Sequence, residues 1–443
     1  MPWFSSLRRP LNRPWRGSIA LGCVLLGASA QAQYLDTSGG SRQIKFRPFT
    51  VSFGTTSGYD TGGRVFTQKQ PGEEEFESSI YAGFNASGAM NLVGADTFLG
   101  ARMSTGYTYY FQRTQNEYET AINVDSTFRH TFSPRWTLSI NDNFVMDTEQ
   151  QIGVDSALPN SAQQFRREGD YYINNMSINN SFLLAPRVSL SVTLNYGLTR
   201  YEDGVSANVY DRDEYGISAG PNYQLSSATT VGFSVGYSRS EHPELVKIFA
   251  PSPPSPPRTL IDRVNRNSET ESFSVNFSHI FSSRFNVAGS VGVTFTQFQD
   301  GDVTGNSINP AVSCSANYVL DERTTSSIGY IHSISETEVP QFTATIQDTV
   351  SAGISRQFTS KIAVSLRASY SRSQLDQEFN ASTAAVSQES GSEEAYGGSI
   401  STGYQFTKNL GMDLGYSYSR VNAGFGAESF DRDRFTFNVR YSF

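Results

Sequence analysis

From about Ile44 onward the chain alternates apolar and polar residues with a period of two rather than 3.6. In "RVSLSVTLNYGLTRY", Val188, Leu190, Val192, Leu194, Tyr196 and Leu198 share one face, while Arg187, Ser189, Ser191, Thr193, Asn195, Gly197 and Thr199 share the other. A segment of this kind is a strand with one apolar and one hydrated side. The same alternation runs through "TTVGFSVGYSRS", "RFNVAGSVGVTFTQF", "KIAVSLRASYSRS" and "NLGMDLGYSYSR". It also closes the chain: in "RFTFNVRYSF" the apolar set is Phe435, Phe437, Val439, Tyr441 and Phe443.

Short polar turns separate these segments, each with an apolar residue closing one strand and a hydrophobic or β-branched residue opening the next. They read "FSPRW", "LAPRV", "LSSAT", "FSSRF", "LDERT", "FTSKI" and "FTKNL", with a looser "LVGADTF" earlier. Connections this short make hairpins. The alternate connections are long and irregular, among them "SGYDTGGRVFTQKQPGEEE" and the proline-rich "HPELVKIFAPSPPSPPRTLIDRVNRN". Short turns at one end and long loops at the other are the asymmetry of a transmembrane barrel. Eight short turns with a strand at each terminus predict about 18 antiparallel strands. Their expected starts lie near Ile44, Phe76, Thr97, Glu117, Arg135, Asp170, Arg187, Arg212 and Thr229, then near Glu271, Arg284, Ser307, Thr324, Thr345, Lys361, Glu394, Asn409 and Arg432. Sandwich strands average about five to six residues, roughly half of what these segments offer. A solenoid needs a fixed period, which the uneven repeats lack.

The charges support a lipid-facing side. An Arg or Lys facing lipid at mid-membrane costs about 2 to 4 kcal/mol, and Arg102, Arg129, Arg187, Arg367, Arg434 and Arg440 all take the polar parity, as do Glu119, Asp125 and Asp413. These nine are the expected pore-lining charges. Arg239 and Arg356 take the apolar parity near strand ends, where long side chains reach the interface. Asp142 is the exception, grouped with Trp136, Leu138, Ile140, Phe144 and Met146; a bulge that rotates it inward is the expectation. Phe132, Trp136, Phe281, Phe285, Phe358 and Phe406 beside the short turns, and Tyr109, Tyr118, Tyr237, Tyr330, Tyr370 and Tyr418 towards the long loops, would form two aromatic girdles.

The N-terminus changes the compartment. Arg8, Arg9, Arg13 and Arg16 precede the apolar "SIALGCVLLGA" and the small residues of "ASAQAQ", the form of an export signal. Residues 1–32 are read as signal peptide with cleavage after Ala32, residues 33–43 as a short lead, and residues 44–443 as the barrel. Cleavage removes four arginines and no acid, taking the formal net charge from −8 to −12. An acidic chain argues against nucleic acid as a partner. Cys314 is the single cysteine left after cleavage, so no intrachain disulfide forms. Beyond the signal, no apolar run approaches the roughly 18 to 20 residues of a spanning helix.

Candidate chemistry is sparse. His130 and His279 sit on the apolar parity just before short turns, where they serve as girdle residues, and no zinc-binding HExxH, cysteine cluster or phosphate-binding glycine loop occurs. No serine or aspartate has a persuasive histidine partner, so no enzyme activity and no cofactor are expected. The lumen is what remains. Eighteen strands about 4.8 Å apart, tilted about 40°, enclose a cylinder roughly 35 Å across. The small Ser, Thr, Asn, Gly and Ala side chains of the polar parity cannot fill it. The loop "EQQIGVDSALPNSAQQFRREGD" is the constriction candidate, with Arg166 and Arg167 opposing Asp155 or lumenal acids; an exposed cap is the competing reading, and the proline-rich loop near Pro251 competes for the role.

The alternating end with Tyr441 and Phe443 resembles the signal that the barrel-assembly machinery reads in bacterial outer-membrane barrels. Together with the export signal and the hairpin repeat, the chain is similar to β-barrel porin families, some of whose members accompany exopolysaccharide secretion. The resemblance implies the outer membrane of a Gram-negative-type bacterium, contact with its lipid, and a passive or weakly selective channel for small hydrophilic solutes. It also implies two alternatives, an exopolysaccharide export channel and a structural or adhesive barrel with a blocked pore. It admits a homotrimer as well as a monomer.

Overall fold

The computed structural model describes residues 49–61, 78–113, 117–148, 170–201, 211–243, 246–249, 260–264, 267–298, 306–336, 344–375, 391–422 and 430–443. The first strands are β1 (Phe49–Asp60), β2 (Ser79–Val93), β3 (Thr97–Tyr110), β4 (Tyr118–Ser133), β5 (Trp136–Asp147), β6 (Tyr171–Ala185) and β7 (Val188–Tyr201). Next come β8 (Arg212–Gln224), β9 (Thr229–Glu241), β10 (Val246–Phe249), β11 (Leu260–Val264), β12 (Ser268–Ser282) and β13 (Phe285–Phe298). The remainder are β14 (Asn306–Asp321), β15 (Thr324–Glu336), β16 (Ala344–Gln357), β17 (Ile362–Leu375), β18 (Gly391–Gln405), β19 (Leu410–Asn422) and β20 (Phe430–Ser442).

Eighteen of these form one antiparallel sheet, in which sequence neighbours pair and β9 pairs with β12. The sheet closes on itself: β1 pairs with β20 from Ser52 opposite Ser442 to Asp60 opposite Arg434. Closure removes both free edges, so every strand can satisfy its backbone inside hydrocarbon. β10 and β11 stand apart as a two-stranded hairpin within the proline-rich connection, which the sequence pattern had suggested would be irregular. The barrel strands begin within three residues of their expected starts from β2 onward. The first is described only from Phe49, and residues 1–32 and 33–43, read above as signal peptide and lead, lie outside the described residues.

Local side-chain chemistry sets the short turns. In the two-residue turns after β4, β6, β12 and β14 the register slips at Phe132, Leu184, Phe281 and Leu320, the apolar residues that close each strand. A bulge there tightens the local twist as the chain reverses. Ser282 Oγ accepts from Arg284 N at 3.2 Å, and Asp321 Oδ1 from Arg323 N at 2.8 Å. The longer turns use the same device: Ser226, Thr359 and Thr407 each accept from the backbone N–H groups two and three residues on. Side-chain oxygens thus replace the missing ladder partners.

The register separates two walls. Leu194, Ile217, Phe233, Val291, Ile328, Leu366 and Phe437 face outward and remain exposed, as a lipid-facing surface requires. Rings gather on this wall beside the short turns: Phe132 lies 4.0 Å from Trp136, Phe281 5.2 Å from Phe285, and Tyr404 4.7 Å from Phe406. His130 and His279 join them, each with Nδ1 on a threonine hydroxyl, Thr97 at 2.7 Å and Thr229 at 2.8 Å.

The expected bulge at Asp142 does not exist. Its register with β4 and β6 is continuous, opposite Ser126 and Met176, and its side chain stays on the outer wall. It is accommodated by a neighbour instead: Asn174 Nδ2, also facing outward, donates to Asp142 Oδ1 at 2.9 Å. The donor comes from the next strand, 32 residues away, so the alternation within β5 contained no trace of it.

Candidate functional site

The inner wall is the surface on which any transported molecule would travel. It is built from the second parity of every strand, such as Ser234, Ser274, Ser290 and Ser313 on β9, β12, β13 and β14. Hydroxyl pairs bridge it, among them Ser234 with Ser274 at 2.6 Å and Ser290 with Ser313 at 2.7 Å. Asn179 donates to Thr193 at 2.8 Å on β6 and β7. Hydroxyl and carboxamide groups can exchange these bonds with water or solute at little cost.

The expected pore-lining charges fall into three groups. Arg102, Asp125, Arg129, Arg367, Asp413 and Arg440 lie on the inner parity of β3, β4, β17, β19 and β20. Asp125 opposes Arg102 across the strands, yet its Oδ1 accepts from Asn143 Nδ2 at 2.6 Å. Asp413 accepts from Asn438 Nδ2 at 3.5 Å. Glu119 and Arg434 are drawn into a network at the closure seam. Arg187 differs from expectation: it occupies the turn between β6 and β7, at the rim rather than in the wall, because Pro186 and Arg187 are the two residues that reverse the chain. Asp155, Arg166 and Arg167 lie outside the described residues. Tyr441 and Phe443 face outward with rings 4.8 Å apart, and Phe443 N donates to Val51 O at 2.9 Å.

The seam network was not foreseen. Asp60 on β1 is fully buried and accepts from Arg432 Nε at 2.9 Å and from Arg113 Nη2 at 3.3 Å. Arg113, folded back from the end of β3, also pairs with Glu119 at 3.4 Å and lies 3.4 Å over the Tyr110 ring. Tyr110 Oη donates to Glu119 at 2.6 Å, and Arg434 reaches Tyr110 Oη at 3.2 Å. Each buried charge therefore meets its opposite, which is the condition for burying charge at all. Two side chains of β2 cross over β1 to reach β20: Tyr81 Oη bonds Phe435 O at 3.0 Å and Thr436 Oγ1 at 2.7 Å, and Asn85 donates to Asn438 at 3.1 Å. They pass over Gly58 and Gly54, where a Cβ would collide with them. The polar alternation of β1 predicted an inward face but carried no sign of these long-range partners.

At the end of the long connections, inner-wall side chains are buried around the circumference: Asp60, Tyr81, Tyr171, Ser240, Thr345 and Glu393 among them. Two tyrosine pairs lie at this level, Tyr81 with Tyr110 at 5.4 Å and Tyr171 with Tyr201 at 5.5 Å. Among the described residues no group of three His, Cys, Asp or Glu side chains is placed to hold a metal ion.

Residues 264–443 match the family model described as "Putative beta-barrel porin 2". No curated protein matches the chain. Of solved structures, the outer membrane protein opdK of Pseudomonas aeruginosa is similar at 12% identity and TM-score 0.44, over 89% of this chain and 99% of that one. OpdQ of Pseudomonas aeruginosa is similar at 12% identity and TM-score 0.42, over 89% and 97%. OccAB3 of Acinetobacter baumannii gives 12% identity and TM-score 0.42, over 89% and 99%.

Proposed function

We propose that this outer-membrane β-barrel protein of a Gram-negative-type bacterium is a passive, weakly selective channel for small hydrophilic solutes. The observation that carries the reading is the hydroxyl- and carboxamide-rich inner wall, and the buried wall side chains near the long connections support a narrowing there. The wall replaces part of a solute's hydration without holding it, and the narrowing limits its size. Such transport needs no bond chemistry. It needs only a wet path through a closed wall.

The alternatives make different demands. An exopolysaccharide export channel would profit from open aromatic faces along the lumen, on which sugar rings stack. Both inward tyrosine pairs are buried, so neither offers such a face. A structural or adhesive barrel would need its lumen sealed. Swelling of liposomes carrying the purified full chain separates the three. We expect monosaccharides to enter fast, disaccharides more slowly and long oligosaccharides not at all. Entry or block by long oligosaccharides alone would favour export, and no swelling with any sugar would favour the sealed barrel.

A further inference from the structure

We infer that the channel prefers small hydrophilic anions, drawn by unpaired arginines on the inner wall of β20, β3 and β4; this rests on the channel reading above. Between the level of the buried wall groups and the short turns, the charged inner-wall side chains among the described residues are Arg102, Asp125, Arg129, Arg367, Asp413 and Arg440. Four are cations and two are acids.

The two signs are also treated differently by the wall. Asp125 and Asp413 are each tied to it by a carboxamide donor, Asn143 and Asn438. Arg102, Arg129 and Arg440 are exposed, and none of the three makes an ion pair or hydrogen bond among the described residues. The neighbours of Arg440 in the two adjoining strands are Gly54 and Gly411, which do not screen it. Arg434, Arg432 and Arg113, in contrast, are matched to Asp60 and Glu119 in the seam. Unmatched guanidinium groups in a water-filled passage are what an anion path requires.

A second observation is independent of the wall. The short turns carry Arg135, Arg187, Arg284, Arg323, Lys361 and Lys408, against Asp96, Asp321 and Glu322. The mouth at that end is therefore basic as well. A fixed charge is felt over about 8 Å at physiological ionic strength, and low-dielectric walls focus the field along the passage.

The formal net charge of −8 points the other way, but net charge is not what a solute meets. Glu269, Glu271, Asp348, Glu394 and Asp433 stand on the outer parity, away from the lumen. These five acids are therefore outside the path although they count in the net charge.

Zero-current potentials of the purified full chain in planar bilayers, under a tenfold potassium chloride gradient, test this. The expected result is a chloride-to-potassium permeability ratio above one. It should fall by about two-fold or more in the triple variant Arg102→Gln, Arg129→Gln, Arg440→Gln. Asp125→Asn with Asp413→Asn should raise it, a variant of opposite sign that guards against misfolding of the first. A conducting channel that prefers potassium, or ratios indifferent to both variants, would overturn the inference and leave the channel standing. A membrane that never conducts would overturn the channel reading and the inference with it.

Discussion

Asp142 shows how a β-barrel tolerates a carboxylate on its lipid side. The side chain does not turn inward; Asn174 brings a donor to it across the β5–β6 pair at 2.9 Å. In hydrocarbon an unsatisfied polar group costs several kcal/mol, so the donor matters more than the acid. Asn174→Ala should therefore destabilise the folded barrel by about 1 to 3 kcal/mol, because it strands the carboxylate. Asp142→Leu combined with Asn174→Leu, which removes both partners, should be neutral or stabilising. Urea unfolding of the two variants in lipid vesicles measures both, and equal losses would contradict the account. Residues of this kind mark where sequence reading stops. A period-two pattern reports which face a residue takes, and it did so correctly at Asp142, but the partner that makes the position tenable sits on another strand.

At the scale of elements, strands and short turns were legible because their causes are local. Ser226, Thr359 and Thr407 hold the chain reversals through bonds to residues two and three positions on, and the flanking alternation fixes the faces. The closure seam was not legible. Tyr81 must pass over Gly58 to reach Phe435, which lies 354 residues further along the chain. The hairpin of β10 and β11 was missed for another reason: its strands are short and lie in a segment dominated by proline. The last strand combines both kinds of cause, with its own alternation and its pairing to β1. Phe443 contributes a backbone donor to Val51 O and a ring 6.2 Å from Phe53. Deleting Phe443 should lower the amount of folded protein in the outer membrane more than it lowers the conductance of each channel that does assemble. Membrane levels and single-channel recordings of the truncated chain check this, and normal levels would count against a role in assembly.

The whole molecule is polarised in a way its composition hides. Around the circumference, lumenal charge is concentrated on strands near the seam, and β12 to β16 line the passage with Ser, Thr, Asn and Gly. Along the axis, wall groups near the long connections are buried and the seam charges among them are paired, while the short turns at the other end are basic. Sequence parity located the inner wall. Which wall groups become covered is decided in three dimensions, and no strand pattern encodes that. Both features matter only if water and solute cross the barrel, and single-channel recording of the purified full chain in planar bilayers tests that most directly. The account predicts discrete current steps, linear in voltage, that persist when disaccharide is added. A membrane that stays silent while the protein is shown to be folded and inserted would contradict it.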